Sequence, residues 1–570
     1  MGLKDSIRDN FKMVAFKTYL ETVYNKDFEE LRAASIEPRK SAEQGLRSIL
    51  NYAKDTSYGV EHHFSYILEA EDDTELYKRY ESEVPINTYN DFEKYIDISK
   101  HGAENVLIPG KPVFYLTTSG TTGKPKFLPL SAEYIKYMIT LQYMQLATFS
   151  HKTDDIFKGK ILAVTSKCVE DVAPDNTPVG STSGATRAKT NSFSQERLAV
   201  PDCVFEIKDY AARYYILMRF AIEQDVRLIL APNPSTILEL MYNSDKYYDE
   251  YCNDIEKGIV TDKVNIEPEV RAELESAVKP NPKRAAELRA IKANTPNPTP
   301  ADYWQNMRIL CTWKCGNTAF YNKKLDSLFP DSTIHVELGY YASECRFGIT
   351  LHRDNDGTVT FPHKIYLEFI AEEDLEKENP HYYKIFELEV GKRYCPLVTT
   401  NSGLYRYNMN DLIEAGKPYH NTPTIFMVQK INGIVSMTGE KLYEKQFTTA
   451  VQNAAKETGH AVEFYMGFAD IEESRYQFYY EFIDRSVTQE QADEFNNIVE
   501  KYLQEYNIEY ESKRKSLRLK EPAAHILPEH SFEDFKLKLL DQGRRDGQFK
   551  LCHLVQNDNM YSIIKEIALS

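Results

Sequence analysis

The sequence predicts an α/β protein with a large N-terminal α/β domain that includes a β-barrel-like subdomain, followed by a small α+β C-terminal domain. Three observations support this fold class. From about residue 85, short apolar runs split by Gly and Pro alternate with helical patterns, which favours a largely parallel sheet. Residues 345–410 read as a series of strands. After about residue 430 the pattern changes to paired strands and amphipathic helices.

The composition is that of a multidomain protein with an acidic surface. The chain has 570 residues, of which 42% are hydrophobic, and its 69 basic and 86 acidic residues give a net charge of −17. A chain-wide basic footprint for nucleic acid is therefore missing, so no nucleic-acid partner is expected. An anionic substrate would need a local basic site that acts against the overall negative charge.

Neither the N-terminus nor the cysteines suggest export. Residues 1–20 are charged throughout and lack the apolar core of a signal peptide. No apolar run is long enough to span a bilayer. Eight cysteines are too few for a disulfide framework, and the close pair Cys311 and Cys315 favours buried thiols over a metal site. The sequence therefore predicts a cytoplasmic protein with no membrane partner.

The N-terminal elements follow in chain order. Apolar residues at helical spacing predict a helix over residues 41–56, which would begin with a capping box of Ser41 and Gln44. A charged, Ala-rich stretch over residues 262–303 predicts a helical hairpin followed by a Pro-rich connector. Residues 209–224 read as a further helix. The apolar runs that predict strands lie at 106–120, 159–166, 226–235, 307–313 and 332–344.

The C-terminal part has its own pattern of strands and helices. Alternating apolar residues predict strands over 461–471 and 475–484. Thr488 and Gln491 form a capping box at the start of an amphipathic helix. A second amphipathic helix is predicted to be capped by Ser531 and closed by Gly543. These elements fit a small, separate α+β domain.

The stretch FYLTTSGTTGKPKFLPLS, residues 114–131, places seven Ser, Thr and Gly residues, 117–123, before Lys-Pro-Lys. Glycines let a backbone approach a ligand closely, hydroxyls donate to phosphate oxygens, and lysines add positive charge. The proline after the first lysine distinguishes the stretch from the common nucleotide P-loop. The alternative is an ordinary flexible loop. The candidate phosphate-binding residues are Thr118, Ser119, Gly120, Thr121, Thr122, Gly123, Lys124 and Lys126.

The full string TSGTTGKPK resembles the signature of the adenylate-forming ligases, with Phe127 in place of a Gly that often follows. GYYASECRFG resembles their Tyr-Gly-x-Thr-Glu motif, aligned on Glu344, and GLYRYNMNDLIEA resembles their Tyr-Arg-x-x-x-Gly-Asp motif, aligned on Asp411. The three strings occur in the order found in those ligases. Tyr341 and Asn410 stand where Gly is usual, and Asn is the non-Gly residue that best tolerates left-handed geometry.

This resemblance implies that ATP and Mg²⁺ are used and assigns roles to single residues. Tyr340 would stack on adenine, Ser343 would touch the α-phosphate, and Glu344 would hold Mg²⁺ with a hard carboxylate oxygen. Asp411 would accept hydrogen bonds from both ribose hydroxyls. Ala342 completes the candidate nucleotide-binding residues. The alternative for Glu344 is a solvated carboxylate at the end of a strand.

The flanking sequence resembles the auxin-responsive Gretchen Hagen family of acyl-acid amido synthetases. The likeness runs from about residue 35 to 555 and includes YASE, GLYRY and GQFK, and a bacterial rather than a plant member is expected. The family fold implies that residues 1–430 form an N-terminal adenylation domain for ATP and acyl acid. Residues 431–570 would then form a mobile C-terminal lid domain.

The family resemblance also singles out lysines. Lys430 would lie near the hinge, Lys441 would lie at the start of the C-terminal domain, and Lys550 would be a catalytic residue that reaches into the ATP site. Cys552 and His553 stand where the family has Pro and Arg. The alternatives are surface positions for the lysines and a packing role for His553, which is favoured over a catalytic role.

The reaction that this resemblance implies has two steps. The enzyme would adenylate a small carboxylic acid to acyl-AMP and pyrophosphate, and would then transfer the acyl group to an amine, expected to be an amino acid. The alternatives are an acyl-CoA ligase with the same first step and a nucleotide-binding relative without catalysis. The acid pocket is expected to use the helix after the loop and residues 179–189. Arg187 is expected to be an exposed loop arginine rather than the partner of a distal carboxylate.

Overall fold

The computed structural model describes residues 14–569 except 119–125, 154, 168, 188–191, 316–318, 352–356, 376, 432–433, 542–552 and 557. Helices dominate the first part of the chain, beginning with helical residues 14–23. The helices that follow, up to the centre of the chain, are Asn25–Ile36, Pro38–Ala53, Ser57–Glu61, Phe64–Leu68, Asp73–Glu83, Tyr89–Lys100, Ala132–Ser150, Thr182–Arg187, Ser192–Gln195, Tyr210–Glu223, Pro234–Lys246, Tyr248–Lys257, Pro268–Ala277, Pro282–Asn294, Pro300–Tyr303 and Ala319–Asp326.

A parallel sheet lies at the centre of the α/β region. Its neighbouring strands pair in register, as Leu228 with Ile309 and Ile309 with Ile334. Helices cover both faces of parallel strands, so the strands appear in the sequence as continuous apolar runs. These runs are the pattern from which the strands were predicted. Their carboxyl ends meet along one edge, where open α/β sheets bind ligands. The strand order is Lys160–Ala163, Val226–Leu230, Ile309–Thr312, Ile334–Glu337.

Two further sheets complete this part of the chain. The predicted β-rich region forms an antiparallel sheet, in which Tyr366–Ala371 pairs with Arg393–Thr399 along its whole length. Its order is Tyr383–Lys384, Tyr366–Ala371, Arg393–Thr399, Asp411–Tyr419, Thr422–Lys430, Thr358–Thr360, Gly348–Thr350, with Tyr407–Asn408 beside Arg393–Thr399. A smaller sheet has the order Lys126–Leu130, Phe114–Thr118, Pro178–Gly180, Asp171–Val172.

The C-terminal strands and helices form a second α+β arrangement. The predicted strands are confirmed as Val462–Asp470 and Arg475–Phe482, which pair antiparallel. The sheet order is Ala523–Ile526, Arg475–Phe482, Val462–Asp470, Leu554–Val555, and a short ladder joins Ile434–Val435 to Leu442–Tyr443. The helices are Glu444–Thr458, Gln489–Tyr506, Ile508–Lys515, Ser531–Asp541 and Asp558–Leu569.

Helix starts test the capping predictions. Thr488 and Gln491 form the predicted capping box at the start of Gln489–Tyr506. The box predicted at Ser41 is wrong, because that helix already begins at Pro38, where a proline fits the first helical turn. The start of the next predicted helix is also different, since Ser531 is its first helical residue and donates its hydroxyl to the Pro528 carbonyl. Gly543 lies outside the described residues.

The chain divides into two compact units. The first spans the residues up to Thr117 and from Phe127 to Gln429, and the second groups Lys430–Ser570 with the stretch from Thr118 to Lys126. The predicted helical hairpin lies in the first unit as Pro268–Ala277 and Pro282–Asn294. Within the described ranges, no helix combines the length and the apolar character that a membrane crossing requires.

Candidate active site

The polar loop joins two neighbouring strands of one sheet. Thr118 ends the first strand and Lys126 begins the second. The second strand is fixed at its far end, because the Ser402 hydroxyl donates to the Pro129 carbonyl at 2.6 Å and accepts from the Ser131 N–H. The remaining predicted phosphate ligands lie outside the described residues; they are Ser119, Gly120, Thr121, Thr122, Gly123 and Lys124.

A buried carboxylate organises the carboxyl edge of the parallel sheet. Glu337 ends its strand and is 4% exposed. Its carboxylate accepts from the backbone N–H groups of Lys314, Cys315 and Gly339. Burial raises the pKa of Glu337, and these donors oppose the shift. Glu337 therefore ties the end of the adjacent strand to the turn that leads into Tyr340.

Tyr340 and Asp411 meet directly. The Tyr340 hydroxyl donates to the Asp411 carboxylate, and the Tyr340 N–H donates to the Thr358 hydroxyl at 2.7 Å. One face of the Tyr340 ring stacks on Phe347 with centroids 3.9 Å apart, so a stacked adenine would use the opposite face. Burial, followed by the Asp411 charge, raises the pKa of Tyr340, so its phenol stays neutral and can donate. The sequence assigned these residues to adenine and ribose without showing that they touch.

Asp411 is presented by a strained turn. Asn410 has φ +51°, and its N–H donates to the Asn408 side chain at 2.8 Å. The sequence predicted that Asn could replace Gly here in left-handed geometry, and the backbone angle confirms this. Upstream, Arg406 is also left-handed at φ +44°, and its Nε lies 2.9 Å from the buried carboxylate of Glu368. The arginine of this motif therefore anchors the turn that carries Asp411.

Glu344 lies in the bend between Tyr340 and the strand that begins at Gly348. The bend is closed by the Ala342 N–H, which donates to the Cys345 carbonyl at 3.0 Å. Glu344 is buried at 9% exposure and Ser343 is half-buried. No cluster of three or more His, Cys, Asp or Glu suited to a metal occurs among the described residues. One carboxylate suits Mg²⁺ that is otherwise held by phosphates and water, so the donor chemistry of Glu344 fits the ion.

A cavity of about 140 Å³ lies in the first unit beside this bend. The helix Ala132–Ser150 contributes to its wall, and so do Ser183, Thr186 and Arg187. Arg187 lines the cavity but is not the exposed arginine that the sequence predicted, since it is 5% exposed. It pairs with Asp202, donates to Thr165 at 3.0 Å and lies over the Phe205 ring. The expectation failed because the partners that bury Arg187 are remote in sequence or follow it without a recognisable pattern.

Arg346 is a second buried arginine of the cavity wall, and the sequence analysis missed it. It is 6% exposed, and its guanidinium lies 4.8 Å from the centre of the Tyr341 ring. Its Nη1 has a long contact of 3.4 Å with the Met138 carbonyl. The available sequence signal was a basic residue inside an otherwise apolar run that follows Glu344.

The other residues singled out from the sequence are His553, three lysines and three cysteines. His553 donates its backbone N–H to Glu444, contacts the Tyr465 carbonyl through Nδ1 and stacks on the Tyr465 ring. This supports the favoured packing role. Lys430 ends its strand, and the backbone of Lys441 is left-handed at φ +43°. The candidates Lys550 and Cys552 lie outside the described residues. Cys311 is buried and Cys315 half-buried.

Comparison with known sequences gives three family matches and several relatives. Residues 27–334 match the GH3 family N-terminal domain, 358–430 the central domain and 445–559 the C-terminal domain. A jasmonoyl–L-amino acid synthetase GH3.5 of Oryza sativa subsp. japonica is 25% identical, over 66% of this chain and 69% of that protein. The indole-3-acetic acid-amido synthetase GH3.15 of Arabidopsis thaliana is 27% identical, over 66% of this chain and 67% of that protein. The jasmonoyl–L-amino acid synthetase JAR4 of Nicotiana attenuata is 26% identical, over 75% of both chains.

Solved structures agree on the fold. A GH3.15 acyl acid amido synthetase aligns over 95% of both chains with a TM-score of 0.61 at 20% identity. A second structure, of AtGH3.15 in complex with 2,4-DB, aligns over 95% of both chains with a TM-score of 0.62. The α/β class with a large N-terminal part and a smaller C-terminal part is thus confirmed. The three domain matches together cover most of the chain, and the protein belongs to the GH3 family.

Proposed function

We propose that the protein is an ATP-dependent acyl-acid amido synthetase. In the first step a carboxylate oxygen of the acid attacks the α-phosphorus of ATP and pyrophosphate leaves, which gives acyl-AMP. In the second step an amine, preferably of an amino acid, attacks the acyl carbon, loses a proton and displaces AMP to form an amide. The observation that carries the proposal is the Tyr340–Asp411 hydrogen bond, which joins two of the three ordered motifs in one site.

The residues have distinct tasks in this proposal. Tyr340 and Asp411 hold adenosine, Ser343 contacts the α-phosphate, and the loop from Thr118 to Lys126 binds the remaining phosphates. Glu344 would hold Mg²⁺, which when bound supplies positive charge to the phosphates. The cavity beside Tyr341 receives the acid. Residues 1–430 act as the adenylation domain, and residues 431–570, with Lys550, act as the lid.

The family relatives support an amino acid as the acceptor, since the three described above are named amino acid or amido synthetases. The mixed anhydride of acyl-AMP is reactive enough that aligned binding of the amine suffices for the second step. No nucleophilic side chain is then needed. We propose the cytoplasm as the location, where ATP and free amino acids are available.

An exchange assay tests the first step. Purified protein, ATP, Mg²⁺ and one acid from a carboxylic acid panel are incubated with labelled pyrophosphate, and label should enter ATP with the right acid. The best acid is then combined with amino acids or with coenzyme A, and the product is identified by mass spectrometry. Formation of ADP and phosphate would contradict adenylation. A thioester product would replace the amido synthetase by an acyl-CoA ligase, and nucleotide binding without exchange would indicate an inactive relative.

A further inference from the structure

We infer that the acid taken by this cavity is a monocarboxylic acid with a body about the size of a benzene ring and a distal oxygen that accepts a hydrogen bond. This inference rests on the proposed function and specifies the substrate class of that site. Three features of the cavity wall carry it: a guanidinium without a carboxylate partner, a guanidinium already paired with one, and a small volume.

Arg346 supplies the unpaired charge. It is buried, its polar contact with the Met138 carbonyl is long, and the Tyr341 ring lies beside it. Among the described residues, none offers it a carboxylate within ion-pair distance. A guanidinium is costly to bury without an anion, since water is removed and no negative charge replaces it. Arg346 lies two residues after Glu344, next to the candidate nucleotide-binding bend. It is therefore placed to hold the reactive carboxylate of the acid.

Arg187 can donate a hydrogen bond to a ligand, and its pairing with Asp202 leaves little net charge at this position. Asp202 compensates its positive charge, and Thr165 accepts from its Nη1. Its Nε is buried and has no hydrogen-bond partner in the described part of the chain. A buried donor without an acceptor is unfavourable, so a ligand oxygen would improve this site. Because the Arg187–Asp202 pair is already neutral, a hydroxyl or carbonyl oxygen suits it better than a second carboxylate does.

The volume limits the body of the acid. The cavity measures about 140 Å³, and an apolar protein cavity of about 150 Å³ accommodates benzene. Phe16 and Leu198 line it together with aliphatic side chains of the parallel strands. A single ring or a short branched chain fits this volume, whereas a fused bicyclic ring needs a larger one.

Calorimetry with four classes of probe tests recognition without requiring catalysis. The probes are benzoate, the hydroxybenzoate isomers, terephthalate and 2-naphthoate, each titrated into the full chain with a non-hydrolysable ATP analogue. At least one hydroxybenzoate should bind about tenfold more tightly than benzoate, the factor that one added hydrogen bond supplies. Terephthalate and 2-naphthoate should bind more weakly than benzoate. Tightest binding of 2-naphthoate or terephthalate would overturn the inference.

Three variants separate the two arginines. Arg346→Gln should weaken all monocarboxylates by about 100-fold, since a charged hydrogen bond is lost. Arg187→Gln should remove the margin of hydroxybenzoate over benzoate, and equal weakening of both would contradict the inference. Asp202→Asn leaves Arg187 uncompensated and should therefore move the preference towards terephthalate. Arg213→Gln is the matched control, because Arg213 binds the Ile207 carbonyl away from the cavity wall.

The same probes distinguish a failure of the inference from a failure of the proposed function. Tight hydroxybenzoate binding that depends on Arg346, without pyrophosphate exchange, would refute adenylation and leave the recognition intact. Exchange that is fastest with a bulky or dicarboxylic acid would refute the recognition and leave adenylation intact. Unchanged binding by the Arg346 variant would refute the assigned role of that residue whatever the exchange assay shows.

Discussion

Tyr340 and Asp411 are 71 positions apart in the chain, yet a hydrogen bond joins their side chains. This contact joins a tyrosine and an aspartate that belong to two separate motifs of the chain. The phenol donates to one oxygen of the carboxylate and thereby fixes its orientation. The ribose hydroxyls would then meet a carboxylate that is already positioned, so less ordering is needed when the nucleotide binds.

Charge at Asp411 and Glu344 should affect different ligands. Asp411→Asn keeps an oxygen for the Tyr340 hydroxyl but removes the charge, so nucleotide affinity should fall by about 1.5–3 kcal/mol.

Glu344→Gln should raise the Mg²⁺ concentration required for exchange, because an amide is a weaker ligand for a hard cation. Calorimetry and a Mg²⁺ titration measure the two effects.

Asp254→Asn is the matched control for the Asp411 variant. Asp254 is also buried and also accepts from a tyrosine hydroxyl, that of Tyr215, at 2.9 Å. Its substitution should leave nucleotide affinity unchanged. Native nucleotide affinity in the Asp411 variant would contradict the ribose role, and a native Mg²⁺ titration in the Glu344 variant would contradict the metal role.

Because the backbone of Asn410 is left-handed, substitutions at this position are expected to change stability and nucleotide binding in different ways. Asn410→Val should lower the free energy of unfolding by about 1–2 kcal/mol and weaken nucleotide binding, since a β-branched residue is strained at positive φ. Asn410→Gly should remain close to the parent protein in both respects, because glycine adopts this conformation without strain. Urea unfolding and nucleotide titration measure the effects. Equal stability of the valine and glycine variants would show that the turn relaxes to another conformation.

Helical residues 14–23 precede the matched family domains and still reach the cavity of about 140 Å³. Phe16 is fully buried in the cavity wall and meets Phe157 edge-on with centroids 5.0 Å apart. Phe16 therefore helps to shape the wall of this cavity. The helix Ala132–Ser150 and the parallel strands Lys160–Ala163 and Val226–Leu230 contribute further parts of the wall.

Truncation of Phe16 should enlarge the cavity and broaden the choice of acid. Phe16→Ala should improve exchange with 2-naphthoate relative to benzoate, because the removed ring leaves space for a second ring. The variant should also unfold about 3–5 kcal/mol more easily, as buried Phe→Ala changes do. Phe92→Ala is the control, since Phe92 is equally buried outside the cavity wall. An equal shift of acid preference in both variants would exclude a specific role for the helix.

In the two-step proposal, Lys550 is expected to act only in the adenylation step. Lys550→Ala should reduce adenylation by about 100-fold or more, the effect of losing one preorganised electrostatic contact. The same variant, supplied with synthetic acyl-adenylate and amine, should form amide at nearly the parent rate. Single-turnover measurements of both half-reactions test this. Equal losses would indicate a general structural role, and no loss would leave Lys550 as a surface lysine.

The half-buried side chain of His363 is expected to make the folded protein less stable in acid. Burial, aided by Lys364, lowers the pKa of His363 to about 4, while Glu30 opposes the shift. The unfolded chain, with a pKa near 6.5, takes up the proton first as pH falls. The free energy of unfolding should therefore fall between pH 6.5 and 4, by up to about 3 kcal/mol.

His363→Gln isolates this contribution from the carboxylates that titrate in the same range. The variant should show a shallower dependence of unfolding free energy on pH between 6.5 and 4, and denaturant unfolding at several pH values measures the slope. The same slope in both proteins would contradict the pKa assigned to His363.

Local chemistry explains what could be predicted from the chain alone. Continuous apolar runs marked the parallel strands, and the Thr488–Gln491 pair marked a helix start. Each of these signals is contained within a few neighbouring residues. Ser41 failed as a helix start because Pro38 gave the helix an earlier one.

Packing between residues distant in sequence determines the lining of the cavity and the burial of its two arginines. Phe16, Arg187 and Arg346 line one cavity although they come from three distant parts of the chain. Local periodicity does not show which remote partner a charged side chain meets, so the burial of Arg187 and Arg346 could not be read from their neighbours. The charges and volume of this cavity arise only when the carboxyl ends of the parallel strands meet at one edge, because side chains distant in sequence become neighbours there.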